Sequence, residues 1–181
     1  MKNSLAKKYI KEKIRIALNE DFGASGDITS KTLISKKSTL KASIYVKESA
    51  ILCGTEFAYQ TFKMLNNSIK IKTLRKDGSK VIKGDKIITV SGSTESILAA
   101  ERTALNFLGL MSGIASKTRK YVDIAKTYGV KIYSTRKTIP GIREMQKYAL
   151  TVGGAHINRS SLSDFYFIKD NHCLLYTSPS P

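Results

Sequence analysis

Apolar residues recur along this chain at two periods, and the way those periods alternate divides it in two. Leu5, Tyr9, Ile10, Ile14 and Leu18 fall near helical spacing with Lys on the other face, which predicts an amphipathic helix over 4–19. Residues 21–29, Asp-Phe-Gly-Ala-Ser-Gly-Asp-Ile-Thr, read as a Gly/Asp-rich loop. Ala42, Ile44 and Val46 alternate with polar neighbours, as in a half-buried strand over 41–47. Thr55-Glu56 opens a helix to about Leu65 that buries Phe57, Phe62 and Leu65. Ile69, Ile71 and Thr73 alternate again, and turns at Asp77-Gly78 and Gly84-Asp85 bracket Val81-Ile82 before a strand at 87–90. This first part is strand-rich and compact.

From Thr94 the texture changes. A helical pattern runs through Ile97, Leu98, Leu105, Leu108 and Met111, with a break or kink expected near Gly109 or Gly113 and a second helix over 115–128. A strand at 130–134, a helix from Pro140 to about Leu150, and strands at 151–157 and 165–168 follow. Strands alternating with helices predict a parallel sheet or barrel, so the fold class is α/β: an α+β N-terminal sandwich over 1–108, then the first part of an α/β barrel over 109–172. About three strands begin a barrel that needs about eight.

The chemistry-bearing residues collect at the predicted strand exits. Arg136 and Lys137 follow the run 130–133, Arg159 follows Gly153-Gly154-Ala155, and Lys169 ends 165–168. Three successive strand ends would each deliver a cation to the carboxyl edge of the sheet, where α/β folds place ligands. A substrate with several negative charges is implied.

Charge and cysteine usage narrow this further. With 31 Lys+Arg against 14 Asp+Glu the net charge is +17, which raises nucleic acid as a partner. Much of the excess is Lys spread over the first half (Lys7, Lys8, Lys11, Lys13, Lys36, Lys37, Lys41, Lys70, Lys72), a distribution more typical of a solvated face. No aromatic stacking platform, zinc signature or helix-turn-helix accompanies it. No apolar run approaches the ~18 residues a bilayer span needs, and the start of the chain does not read as a signal peptide. Two cysteines, Cys53 and Cys173, give no disulfide framework or metal-ligand spacing, so a cytoplasmic, reduced location is expected and no membrane.

Six segments together carry a resemblance. They are 48–54 (Glu-Ser-Ala-Ile-Leu-Cys-Gly), Asp77-Gly78 with Gly84-Asp85, 101–106 (Glu-Arg-Thr-Ala-Leu-Asn), 111–115 (Met-Ser-Gly-Ile-Ala), 135–138 (Thr-Arg-Lys-Thr) with Pro140-Gly141, and 168–172 (Ile-Lys-Asp-Asn-His). In this order and spacing, over about residues 15–172, the chain resembles the quinolinate phosphoribosyltransferases, the decarboxylating nicotinate-nucleotide pyrophosphorylases. The resemblance implies transfer of the phosphoribosyl group from phosphoribosyl pyrophosphate to quinolinate with decarboxylation, giving nicotinate mononucleotide, CO2 and pyrophosphate in NAD biosynthesis. It also implies Mg²⁺, with ligands outside this chain, and a head-to-tail homodimer or higher oligomer in which Arg102 reaches the partner's site. Without those motifs Arg102 reads as a helix-surface residue paired with Glu95, Glu101 or another acid. Arg136 and Arg159 would bind the pyridine dicarboxylate; Lys137 and Lys169 would act as the catalytic cations facing carboxylate, phosphate and pyrophosphate; Thr135, His156 and Asn158 complete the substrate-binding set.

The chain departs from the family pattern twice. Asn158 stands where the resemblance expects histidine. His156, two residues earlier on the same predicted strand face and ~6–7 Å away, either substitutes in part or is a satisfied polar residue. Ala155 replaces a third glycine. The tail 173–181, Cys-Leu-Leu-Tyr-Thr-Ser-Pro-Ser-Pro, continues no strand–helix pattern and is similar to one frame of a sequencing-library transposase adapter, so it is expected to be a non-native read-through. The 181-residue fragment is accordingly expected to be inactive by itself. Three other readings stay open: a related phosphoribosyltransferase-like protein of molybdate uptake, a basic nucleic-acid binder, and a biotinyl or lipoyl carrier, whose half-motif 77–92 resembles.

Overall fold

The structure, a computed structural model, describes residues 5–172. The predicted tail 173–181 lies outside the described residues. In chain order the elements are α1 (Lys7–Phe22), α2 (Ile28–Leu33), β1 (Thr39–Tyr45), β2 (Ala50–Ile51), α3 (Thr55–Leu65), β3 (Lys70–Thr73), β4 (Lys80–Val81), β5 (Lys86–Ser93), α4 (Thr94–Thr127) and α5 (Arg143–Val152).

The N-terminal part follows its alternation closely. β1, β5 and β3 form an antiparallel sheet in that order, and β2 pairs with β4. The register sets Ala42 and Ile71 on either side of Val90, and Ile44 and Thr73 on either side of Ile88. Those rows face α3 and α4, where Ala58, Phe62, Ile97, Ala100, Ala104 and Leu108 complete a first core. A second core gathers Ile10, Ile14 and Leu18 of α1, Phe57 of α3, Phe107, Met111 and Ala115 of α4, and Met145 and Ala149 of α5. Phe57 and Phe107 meet there with ring centroids 4.8 Å apart.

Five expectations need correction. Residues 21–29 are not all loop: α1 runs to Phe22, and the Asp27 carboxylate accepts from the Ser30 N–H at 2.9 Å, capping α2. An aspartate ahead of Ile-Thr-Ser was the available signal. α4 is one helix of 34 residues, with no break at Gly109 or Gly113. Each glycine costs a helix about 1 kcal/mol, but Phe107, Leu108, Met111 and Ala115 between and beside them are buried in the two cores, and tertiary packing overrides propensity. The helix also satisfies strand backbone: Ser116 Oγ accepts from Ile51 N–H at 2.8 Å and Ser112 Oγ from Cys53 N–H at 2.9 Å. α4 passes unbroken through the predicted boundary at 108/109, so the two parts share it.

The other three corrections concern the predicted strands and the start of α5. α5 extends to Val152, and the stretches 130–134 and 151–157 pair through one parallel bridge, Tyr133 with His156. Its two bonds run from Ser134 N–H to His156 O and from His156 N–H to Ile132 O, both 2.8 Å. Residues 165–168 form no ladder; with a single rung beside them they have no sheet to extend. The α5 helix begins at Arg143 and not at Pro140, because Gly141 sits at φ +80, in a turn.

One carboxylate ties the parts together. Asp77, in the turn before β4, accepts from the N–H groups of Gly54 and Thr55 at 2.9 Å each, from Thr55 Oγ1 at 2.7 Å and from the Tyr148 hydroxyl of α5 at 2.9 Å. It serves the free N–H groups at the start of α3 and anchors α5 at once. Asp77→Ala should lower unfolding free energy by about 2–3 kcal/mol and Tyr148→Phe by about 1 kcal/mol, read from urea denaturation.

Candidate active site

The predicted strand exits do converge. Arg136 and Lys137 follow the first bridged segment and Asn158 and Arg159 follow the second, so one parallel rung brings four sequence-distant side chains to one edge. They line a cavity of about 350 Å³ together with Ser134, Thr135, Phe167 and Lys169. Among the described residues no lining side chain is acidic. His156 and Arg102 are not among the lining residues. The His156 ring lies 5.3 Å from that of Tyr133, and Arg102 is exposed on α4.

Backbone bonds hold each cation. Ser134 is buried, and its Oγ accepts from Asn158 N–H at 3.4 Å, a second tie between the two segments. The Thr135 hydroxyl accepts from Lys137 N–H at 3.2 Å, turning the chain so that Arg136 and Lys137 face the cavity from adjacent positions. The Arg136 Nε is buried with no hydrogen-bond partner among the described residues, a donor left for a ligand. His172 folds back so that its Nδ1 accepts from Lys169 N–H at 3.1 Å. Among the described residues the ion pairs are Lys13–Glu12 and Arg119–Asp123, neither of which involves the cavity. The cations are therefore gathered without counter-charge.

Sequence reasoning missed four contributors. Phe167 places its ring 4.5 Å from the Arg159 guanidinium and 5.5 Å from the Lys169 ammonium, and Phe165 lies 5.9 Å from the same guanidinium. The electron-rich ring face spreads two cations that would otherwise repel. Phe165, Phe167 and Lys169 stand at i, i+2 and i+4, so period two already put them on one side. Arg143 and Lys147, on successive turns of α5, had no such signal. Arg143 donates to Thr138 Oγ1 at 3.0 Å and to Ser160 O at 3.2 Å, and Lys147 donates to the Arg159 carbonyl.

The Cys53 thiol is not set up as a nucleophile. Burial first, then the adjacent Asp77 carboxylate, push the Cys53 thiol far above its ordinary range, so it stays an inert thiol. Burial and Asp77 raise the Tyr148 phenol in the same way. Asp164 is held below the usual carboxylate range by hydrogen bonds from the Ser161 hydroxyl and the Ser160 and Ser161 N–H groups. Among the described residues no three His, Cys, Asp or Glu side chains cluster to hold a metal ion, and the described cavity lining holds none of the carboxylates through which proteins usually bind Mg²⁺. No described helix is long and apolar enough to cross a membrane.

Comparison with known proteins gives the same picture. The family model described as quinolinate phosphoribosyl transferase, N-terminal domain, matches residues 27–112, and that of the C-terminal domain matches 114–179. The chain belongs to the quinolinate phosphoribosyltransferase family. It is 40% identical over 163 residues to the chloroplastic nicotinate-nucleotide pyrophosphorylase of Arabidopsis thaliana, covering 90% of this chain and 46% of that protein. It is 37% identical over 153 residues to a probable nicotinate-nucleotide pyrophosphorylase of Bacillus subtilis, 84% of this chain and 52% of the other. The solved nicotinate-nucleotide pyrophosphorylase of Francisella tularensis superposes with a TM-score of 0.89 at 39% identity, covering 94% of this chain and 60% of its own. The chain thus spans about half the length of the curated relatives it matches.

Within this member of the family, Gly153 sets how closely α5 approaches α4. A Cβ there would stand 2.6 Å from Thr118 Cβ and 2.7 Å from the Ala115 carbonyl oxygen. Gly153→Ala should therefore cost about 1–3 kcal/mol, visible as a lower melting temperature, and displace the segment that carries Arg159.

Proposed function

We propose that the full-length protein transfers the phosphoribosyl group of phosphoribosyl pyrophosphate to the ring nitrogen of quinolinate, with loss of the 2-carboxylate, giving nicotinate mononucleotide, CO2 and pyrophosphate. The observation that carries this reading is the cavity: Arg136, Lys137, Arg159 and Lys169 line it and, among the described residues, no carboxylate does. Two polyanions have to be held side by side, and planar guanidinium forks suit carboxylates while ammonium groups suit phosphates. The names of the Arabidopsis and Bacillus relatives support the same reaction for those proteins.

Such a transfer asks little of acids and bases. Its demands are proximity and a fixed positive field that meets charge moving onto departing pyrophosphate as the sugar carbon becomes cationic. Arg136 and Arg159 would orient the dicarboxylate so that the ring nitrogen faces C1 of the sugar. Lys137 and Lys169, both exposed on the cavity rim, would meet phosphate and pyrophosphate oxygens. Asn158, an exposed amide on the same wall, offers a donor and an acceptor without charge. Mg²⁺ belongs to the proposal as an ion that would neutralise the pyrophosphate, with its protein ligands outside this chain.

The dimer is part of the same proposal. Arg102 is exposed on α4 and outside this chain's own cavity wall, as a residue serving a partner's site would be. A buried, unpaired Cys53 fits a reducing compartment such as the cytoplasm. The carrier reading loses its basis, because 77–92 builds the Asp77 tie, β4 and the central strand β5. No observation favours the molybdate-linked or nucleic-acid readings.

The intact gene product should release pyrophosphate only when quinolinate and phosphoribosyl pyrophosphate are both present; a folded dimer that does not would overturn the reading. Arg136→Ala should weaken quinolinate binding by about 2 kcal/mol or more. Arg102→Ala and Arg136→Ala should each be inactive alone and recover part of the activity when co-expressed, since mixed dimers hold one intact site. Mixed dimers that stay inactive would assign Arg102 to its own chain.

A further inference from the structure

Lys147 is a charged side chain in the wrong place for a purely structural residue. It is 5% exposed, yet no described carboxylate pairs with it. Its ammonium donates to the Arg159 carbonyl and lies 3.5 Å from Ser160 Oγ. The neighbouring acid, Asp164, is already engaged by Ser160 and Ser161. One turn earlier Arg143 donates to Ser160 O, and Arg136 adds a further positive charge. A buried ammonium without counter-charge is costly, even with its donors met by a carbonyl and a hydroxyl.

We propose that Lys147 is a positioning residue that fixes the backbone of Arg159 beneath the cavity and takes the bound polyanion as its counter-ion. This rests on reading the cavity as the anion site and adds a residue that does not line it. Burial, then Arg143, hold the Lys147 ammonium below the usual lysine range, with Asp164 opposing and Arg136 adding to the effect. The unfolded chain then binds this proton more tightly than the folded one, so stability of the anion-free protein rises with pH between the two values. A bound anion draws the proton back, so binding in that window takes up a proton.

The test is calorimetric titration of the intact gene product with inorganic pyrophosphate, and separately with quinolinate, in two buffers of different ionisation enthalpy from neutral to alkaline pH. Circular dichroism melts run beside it for Lys147→Met and Lys147→Arg. The wild type should bind with proton uptake that grows with pH. Lys147→Met should stay folded, bind about tenfold more weakly near neutrality and lose that uptake; Lys147→Arg should keep affinity without uptake. A folded Lys147→Met with wild-type affinity and uptake would overturn the proposal while leaving the cavity reading intact. Should Lys147→Met not fold, the arginine variant decides: uptake unchanged from wild type overturns the proposal. A wild-type chain that binds neither anion would remove the cavity reading and the proposal together.

Discussion

Like charges repel, and a site made of cations has to be held together by everything that is not charge. In this protein, Arg136, Lys137, Arg159 and Lys169 converge with no acid among the described residues of the cavity wall. What opposes their repulsion is the frame behind them. A parallel rung at Tyr133 and His156 aligns the two segments, the Ser134 hydroxyl adds a second tie, and the Phe167 ring lies against two of the cations. From α5, Arg143 then bonds the Thr138 hydroxyl and the Ser160 carbonyl, and Lys147 the Arg159 carbonyl.

That frame is only as firm as α5, and α5 is firm because the N-terminal part grips it. Met145 and Ala149 are buried against α1, α3 and α4, the Tyr9 hydroxyl accepts from Met145 N–H at 3.3 Å, and the Tyr148 hydroxyl reaches Asp77. Gly153 lets the helix close on Thr118 of α4. The long helix α4 joins both cores, so a sheet at one end of the molecule bears on the position of a guanidinium at the other. Domain language hides this: the second part leans on the first through shared helices before it has a sheet of its own.

Much of the architecture was legible as periodicity. Period two marked β1, β3 and β5 because one face of each is covered, and the i, i+4 run of Ile10, Ile14 and Leu18 marked α1 because one stripe of it is. The cationic site was legible for a related reason: Arg136, Lys137, Arg159 and Lys169 each follow an apolar run, and the family resemblance rests on the same segments. The readings that failed are those in which a neighbour outvotes local sequence. Gly109 and Gly113 argue for a break, but packing on both sides keeps α4 whole. The run 165–168 has strand composition, yet a strand exists only by pairing, and a single rung beside it offers no ladder.

Sequence by itself determined which segments are amphipathic, where the turns fall and which cations exit which apolar runs, because these depend on side-chain type and spacing within a few residues. Tertiary structure alone decided that Asp77 joins three segments, that Lys147 is buried beneath Arg159, that Phe167 underlies two cations and that His156 packs on Tyr133. Each of these is a contact between residues whose separation along the chain bears no fixed relation to their distance in space. The sign of their effect also depends on burial, which a lysine or an aspartate does not announce in its neighbours.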